Sequence, residues 1–265
     1  MWQTAVATAV RNQKANMRAY PWTFTFGHII DGVYLVLVSY FSYVYLIRGE
    51  LAGSFPAYAG TDDYLSFSIV GGMLHLLSVS MIMNVSRAVI TEWREGTLES
   101  LLLTPSGRAG YFAGTALQQL YRCGLELMAV LAVGLWAGLR LNEADWGAAA
   151  LGALLYLCSC FAMGVVLGCI MLYTRDTFYV QNTLFTLTSL LCGFQFPRQY
   201  LPEPLQWAAE VLPITDSLQL LRSGLLTGAP VQPGRAAAII ALCVVYVLAG
   251  LFLHRRIERT VFERF

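Results

Sequence analysis

The sequence predicts an all-α integral membrane protein with six transmembrane helices. Of its 265 residues, 57% are hydrophobic and only 12% are charged, whereas about a quarter of the residues in a soluble domain are charged. Apolar runs of roughly 20 residues, the length of a helix that crosses a bilayer, recur along the chain. No polar stretch is long enough to bury a core of its own, so we expect no separate soluble domain.

Residues 1–22 are predicted to form an amphipathic helix in the cytoplasmic interface of the membrane. Arg11, Lys14 and Arg18 fall on one face of such a helix. The other face is apolar and comprises Trp2, Ala5, Val6, Ala9 and Val10. A helix of this kind lies on a membrane rather than across it. The alternative is a disordered basic tail.

Residues 23–265 are predicted to form one transmembrane domain. Its six spans cover about residues 27–47, 66–90, 110–139, 148–172, 178–194 and 235–254. Two pairs of glycines have the GxxxG spacing that lets helices pack closely, Gly134 with Gly138 and Gly164 with Gly168. This spacing is common in helical bundles and carries little information on function.

The distribution of Lys and Arg predicts the orientation, because cytoplasmic loops carry an excess of these residues. Eleven of them lie on the side that holds both termini, and five lie on the other side. We therefore expect both termini, residues 91–109 and the turn at 173–177 in the cytoplasm. The net charge of +1 gives no indication of nucleic-acid binding.

The outer connection before the last span, residues 195–233, is rich in proline yet is not a polar loop. It contains two amphipathic stretches, LPEPLQWAAEVLP and ITDSLQLLRSGLLTG. Thr215 can cap the second stretch and Gly228 can end it. Helices this short cannot cross a bilayer, so we expect an outer re-entrant segment that closes the top of the bundle.

The most charged run between two spans is EWREGTLESLLLTPSGR, residues 92–108. Residues 92–104 are predicted to form a short amphipathic helix with Glu92, Glu95 and Glu99 on one face and leucines on another. Pro105 ends it. An acidic stripe beside leucines suits docking into a groove on a protein partner. The alternative is an interfacial helix whose carboxylates point to water.

Two motifs in this chain are similar to those of a known family. One is E-x-x-x-G-T-L-E-x-L-L-x-T-P, from Glu92 to Pro105, and the other is G-F-x-F-P-x-x-x-L-P, from Gly193 to Pro202. The second continues through Pro213 to Arg222 and Gly228. Together they resemble ABC transporter permeases of the second exporter type, and the resemblance covers nearly the whole chain.

The resemblance implies a role for each motif. The coupling helix after the second span would contact a separate ATP-binding cassette ATPase subunit, and the turn with Arg175 would be a weaker second contact. Its coupling residues would be Glu92, Arg94, Glu95, Gly96, Thr97, Glu99 and Leu102. The outer gate and re-entrant residues would be Phe196, Pro197, Leu201, Pro202, Pro213 and Arg222.

The sequence offers no nucleotide site of its own. A P-loop needs a Gly-Lys-Ser/Thr core, and the single lysine, Lys14, is followed by Ala15. We therefore expect that ATP and Mg are bound by the partner subunit, and that this chain binds no cofactor and is no enzyme by itself. None of the six cysteines forms a CxxC pair, and no metal site is predicted. A second permease copy or a related permease should complete the assembly, in the bacterial cytoplasmic membrane.

Polar residues inside the spans are candidates for a translocation path. The set is Tyr40, His75, Asn84, Thr183 and Thr186. The alternative is that they make hydrogen bonds between helices. Charged residues in the spans, Asp31 beside His28 and Arg122 beside Glu126, are expensive to bury, and we favour a role in locking helices together.

The expected function is thus the permease subunit of an ATP-driven exporter for a small amphipathic cargo such as a drug, an antibiotic or a lipid. A polysaccharide or lipid-linked glycan is the alternative cargo. A membrane-embedded enzyme that acts on lipid through Asp31, His28 or Glu126 is a rival from another class. A membrane scaffold that uses the acidic helix only for docking is a third reading.

Overall fold

The structure, a computed structural model, describes residues 2–19, 23–47, 55–94, 96, 108–141, 144–174 and 177–262. All the regular secondary structure within these ranges is helical. The predicted all-α class is therefore confirmed for the part of the chain that is described.

Ten α-helices follow one another along these residues. The first four are α1 Trp2–Ala19, α2 Thr23–Phe41, α3 Phe55–Ala59 and α4 Tyr64–Arg94. The next three are α5 Arg108–Ala137, α6 Trp146–Thr174 and α7 Thr177–Leu191. The last three are α8 Glu203–Glu210, α9 Pro213–Leu226 and α10 Pro233–Phe262. A π-helical turn, Ser42–Ile47, extends α2, and a 3₁₀ turn, Arg198–Tyr200, precedes α8.

Helix α4 is the central element, with α2, α5, α6, α7 and α9 packed around it. Asp63 caps its start: one carboxylate oxygen accepts hydrogen bonds from the backbone N–H groups of Leu65 and Ser66, at 3.0 and 3.2 Å. An N-cap carboxylate satisfies amides that a helix otherwise leaves unpaired. The cap fixes where α4 begins, and the helix then continues without interruption to Arg94.

Two glycines of α6 let it pack closely against α4. A Cβ atom at Gly164 would lie 3.0 Å from Cβ of Val85, and one at Gly168 would lie 3.1 Å from the carbonyl oxygen of Ser86. In the same contact, nearer the N-terminal end of α4, the Tyr156 hydroxyl donates a 2.5 Å hydrogen bond to the Leu74 carbonyl. Gly164 and Gly168 thus support the tight helix pair that their spacing predicts.

The other predicted glycine pair is wrong at Gly138, whereas a Cβ atom at Gly134 would lie 3.2 Å from the Ile69 side chain of α4. Gly138 lies beyond the end of α5 with φ +105°, and Leu139 N–H bonds to the Gly134 carbonyl at 2.9 Å while Gly138 N–H bonds to the Leu135 carbonyl at 3.3 Å. These two bonds form a Schellman motif, which ends helices and favours glycine at the left-handed position. Gly138 therefore terminates a helix rather than packing two together.

The helix lengths agree in part with the predicted spans. Three described segments are long and apolar enough to cross a membrane: Phe55–Arg87, Trp146–Thr174 and Pro233–Leu253. Two shorter apolar helical segments, Ile30–Tyr45 and Leu127–Ala137, fall inside the predicted first and third spans. The count of six spans stays a prediction.

The two outer helices occupy the stretches that were predicted to be amphipathic, although their capping differs. Helix α9 begins at Pro213, with Leu212 at the N-cap position, so Thr215 is an internal, buried residue and not the cap. Proline suits the first turn of a helix because the amide it lacks would be unpaired there. Gly228 follows the helix end with φ +59°.

Replacement of Gly168 by valine tests the α4–α6 contact. The new side chain would press on the Ser86 backbone, which cannot move as a flexible side chain can, and we expect a loss of about 1–3 kcal/mol in stability, seen as a lower Tm in detergent. Gly124→Val is the matched control, because no atom lies within 4 Å of a Cβ at Gly124. Equal Tm values for the two variants would contradict the role of Gly168.

Candidate functional site

A buried arginine organises the end of the bundle that is predicted to face outward. Arg222 of α9 is only 6% exposed. Its guanidinium donates hydrogen bonds to the carbonyl oxygens of Gly193 and Phe194, at 3.0 and 2.7 Å, in the turn that follows α7. Its Cζ atom lies 3.9 Å from the centroid of the Phe67 ring of α4. One side chain therefore joins α4, α9 and the turn after α7, and we call this arrangement the outer clamp.

Among the described residues, no carboxylate pairs with the charged guanidinium of Arg222 in the outer clamp. Burial lowers the pKa of the Arg222 guanidinium to about 9, so the group stays protonated at neutral pH. Carbonyl oxygens and the face of an aromatic ring are the groups that stabilise such a cation here. The Nε atom is buried and has no partner in this part of the chain.

Two glycines make room for the outer clamp. A Cβ atom at Gly71 of α4 would collide with the Phe194 carbonyl oxygen and with the Arg222 guanidinium. Gly193 has φ +73°, a left-handed conformation that is costly for other residues. Phe67 and Gly71 were not among the predicted site residues. The only local signal for them is the Gly71-Gly72 pair within an apolar run.

The other predicted outer residues surround this clamp with different burial. Pro197 and Pro213 are buried, Phe196 and Leu201 are half-buried, and Pro202 is exposed. Arg198 lies 3.4 Å from a carboxylate oxygen of Asp216 and 4.0 Å from one of Glu210. Exposed pairs at these distances contribute little to stability, so the outer segment depends chiefly on burial and on Arg222.

On the opposite side, two arginines of α4 contact the first two turns of α7. Arg87 donates a hydrogen bond to the Gln181 side-chain oxygen, and Arg94 donates one of 2.8 Å to the Thr177 hydroxyl. Arg94 was a predicted coupling residue, whereas Arg87 and Gln181 were not singled out as site residues. The two contacts lie about 10 Å apart along α4, from the 1.5 Å rise per residue, and together they tie the end of α4 to α7.

The predicted coupling helix needs a correction at its start. Glu92 and Arg94 belong to the last turns of α4, and Gly96 lies in a turn with φ +71°. A left-handed residue breaks an α-helix, so one continuous helix from 92 to 99, which the acidic stripe requires, is interrupted at Gly96. Glu95, Thr97, Glu99, Leu102 and Arg175 lie outside the described residues, as does the Glu92 side chain.

The structure does not place all five path candidates in one environment. Tyr40, Thr183 and Thr186 are exposed, and Asn84 is half-buried with its amide donating to the Ser80 carbonyl at 2.7 Å. His75 is 7% exposed and packs between the rings of Phe185 and Phe194, at centroid distances of 5.2 and 4.6 Å. Tyr40 of α2 and Thr183 and Thr186 of α7 therefore lie at the surface of the protomer, whereas His75 is part of the packing beneath it.

The residues of the alternative hypothesis, a membrane-embedded enzyme that acts on lipid, are only partly described. Asp31 is exposed on α2, and the side chains of His28, Arg122 and Glu126 lie outside the described part of the structure. No described contact joins Asp31 to another ionisable group.

The helices and their contacts define a helical membrane protein. Its long central helix α4 extends from the outer clamp toward the charged segment at residues 92–108. Residues 4–226 match the sequence profile of the ABC-2 type transporter family. The chain therefore belongs to the ABC-2 type transporters and is a membrane permease. A comparison with curated proteins gives no significant match.

Replacement of Arg222 by lysine tests the outer clamp. A lysine ammonium cannot stack on Phe67 and donate to both carbonyl groups as a planar guanidinium does, and loss of a hydrogen bond to a charged group costs about 1.5–3 kcal/mol. We expect a clear fall in Tm for Arg222→Lys and almost none for Arg198→Lys, whose charge partners are more exposed. A similar change in both variants would show that Arg222 has no special role.

Proposed function

We propose that this permease is the membrane subunit of an ATP-driven exporter of a small amphipathic cargo. The proposal rests on two observations: the chain belongs to the ABC-2 type transporters, and α4 is one uninterrupted helix. The helix runs for 31 residues, or about 46 Å at 1.5 Å per residue, from the outer clamp to the segment that resembles a coupling motif. A single rigid element thus connects the proposed ATPase contact to the outer cap.

The contacts at the two ends of α4 suggest how force is transmitted. A partner ATPase would bind residues 92–104 and move the adjoining end of α4 as it binds and hydrolyses ATP. Arg87 and Arg94 would carry that movement to α7 through Gln181 and Thr177. At the other end, Phe67 and Gly71 adjoin Arg222, so a displacement of α4 reaches the turn after α7 and helix α9.

The proposed cargo path lies on the face formed by α2 and α7, completed by a second permease copy. Large apolar side chains are exposed there, among them Tyr34 of α2, Tyr45 of the π-helical turn that extends α2, and Leu187 and Leu190 of α7. Within this protomer α7 packs much less extensively than α6 does. A large exposed apolar face in a bundle suits either lipid or another protein subunit. Thr183 and Thr186 add hydroxyl groups to this face, a mixture that fits amphipathic cargo better than a polymer.

Charge reversal in the coupling segment tests the link to the ATPase. We expect that the detergent-solubilised wild-type chain co-purifies with an ATP-binding subunit from its native host. The Glu95→Lys/Glu99→Lys variant should lose at least nine-tenths of that recovery, because like charges replace complementary ones at the interface. The bundle should still fold, as judged by an unchanged Tm.

The matched control for this experiment is Glu203→Lys/Glu210→Lys, which makes the same change of charge on exposed residues of α8 at the other end of the bundle. This control should keep the ATPase subunit. Absence of an ATPase with the wild type, or equal recovery with both variants, would contradict the coupling role.

Cysteine labelling tests the α7 face. In a Cys158→Ser background, which removes the one exposed cysteine among the described residues, Thr183→Cys and Thr186→Cys should react with a membrane-impermeant maleimide if they line a water-filled path. Thr188→Cys is the internal control, because Thr188 lies on the same helix and is 2% exposed. A lipid-facing α7 would leave all three positions unlabelled and would remove these residues from the path.

A further inference from the structure

Away from the face of α2 and α7, the bundle contains an apolar groove of about 930 Å³. Helices α1, α5, α6 and α10 form its walls, and Met81 of α4 contributes to its lining. The lining consists of apolar and cysteine side chains, with Ala116, Leu155 and Val247 among them. Leu154, Val244 and Leu248 at its margin are exposed, so the groove opens sideways from the bundle.

A second, shallower cavity of about 600 Å³ runs along α1 and adjoins the first. Trp2 lines both cavities. The second one carries Val6 and Val10 along its length and ends at two basic residues, Arg11 and Lys14. An apolar groove thus leads, past a tryptophan, to a cationic end.

We propose that these two cavities form a binding site for an anionic phospholipid of the surrounding membrane. One acyl chain would occupy the apolar groove, and the phosphate would lie at Arg11 and Lys14. Basic residues beside a groove between transmembrane helices are the features that recognise anionic headgroups. The site is separate from the α2 and α7 face, so the proposal does not depend on the proposed transport function.

The dimensions agree with this occupant. Trp2 and Arg11 are nine residues apart, about 14 Å along α1, a distance that an extended acyl chain covers between a phosphate at Arg11 and Lys14 and the groove beside Trp2. The stretch of α10 that lines the groove, from Ile240 to Leu248, extends about 12 Å by the same helical rise. A tryptophan suits the junction because its ring favours the boundary between headgroups and acyl chains.

Helix α1 is held firmly enough to form one wall of the site. A Cβ atom at Gly114 of α5 would lie 2.7 Å from the Thr8 side chain of α1. Gln118 donates a 3.3 Å hydrogen bond to Gln13, and Arg11 lies over the Tyr111 ring at 5.9 Å from its centroid. The site is therefore built from α1 and the bundle together.

Quenching of Trp2 fluorescence tests the proposal. The full chain is reconstituted in phosphatidylcholine vesicles with a small fraction of a phospholipid brominated on its acyl chains, either phosphatidylglycerol or phosphatidylcholine. The signal of Trp2 is the difference between the wild type and Trp2→Phe. We expect brominated phosphatidylglycerol to quench that signal at several-fold lower concentration than brominated phosphatidylcholine.

Two matched pairs of variants locate the site. Lys14→Gln should weaken the quenching by phosphatidylglycerol about fivefold, the effect expected of one basic residue near an anionic headgroup, whereas Arg18→Gln, outside both cavities, should not. Cys158→Phe fills the groove and should reduce quenching by both lipids, whereas Ala150→Phe, an exposed position on the same helix outside the groove, should not.

Three results would overturn the proposal. Equal quenching by the two brominated lipids would show that Trp2 contacts bulk membrane only. Equal effects of Lys14→Gln and Arg18→Gln would show a general surface potential and not a site. Protection of Trp2 from both lipids, together with cross-linking between copies at Cys158, would show that a second copy of the chain covers the groove.

Discussion

The close approach of α4 to its neighbours is the constraint on which the rest of the bundle depends. Backbone-level contacts at Gly71, Gly164 and Gly168 bring the central helix against the outer turn at one end and against α6 along its length. Between helices in a lipid environment, packing and polar contacts must hold the structure, because lipid tails are as apolar as the side chains. Larger residues at these glycines would separate α4 from the elements that it connects.

Much of this architecture follows from local sequence, and what does not follow depends on long-range contacts. Apolar runs, prolines and the Gly164–Gly168 spacing predict the helices α4, α6, α9 and α10 from their own residues. The hydrogen bonds of Arg222 join residues 28 and 29 positions apart, and that of Arg87 spans 94 positions, so no local pattern reveals them. At Gly138 and Gly96 the local pattern is misleading. Each fits a helical pattern, but each has a left-handed backbone that ends a helix.

The polar contacts are concentrated where the proposed movement begins and ends. Two arginines of α4 reach α7 on the side that should face the ATPase, and Arg222 joins three elements on the other side. Between these two ends, α4 packs against α6 mainly through apolar side chains and glycines. The hydroxyl of Tyr156 adds one hydrogen bond to this contact. A long continuous helix with polar contacts at both ends suits the proposed transmission of a displacement from one end to the other.

The short connection between α6 and α7 limits how the protein can open. Helix α6 ends at Thr174 and α7 begins at Thr177, so only two residues separate them and their adjoining ends must move together. The far end of α7, about 22 Å away at the helical rise of 1.5 Å per residue, is attached through a longer segment to α8 and α9. A tilt of α7 about the short connection would therefore give its largest displacement at the end of α7 next to the outer clamp, so the proposed movement would have its hinge between α6 and α7.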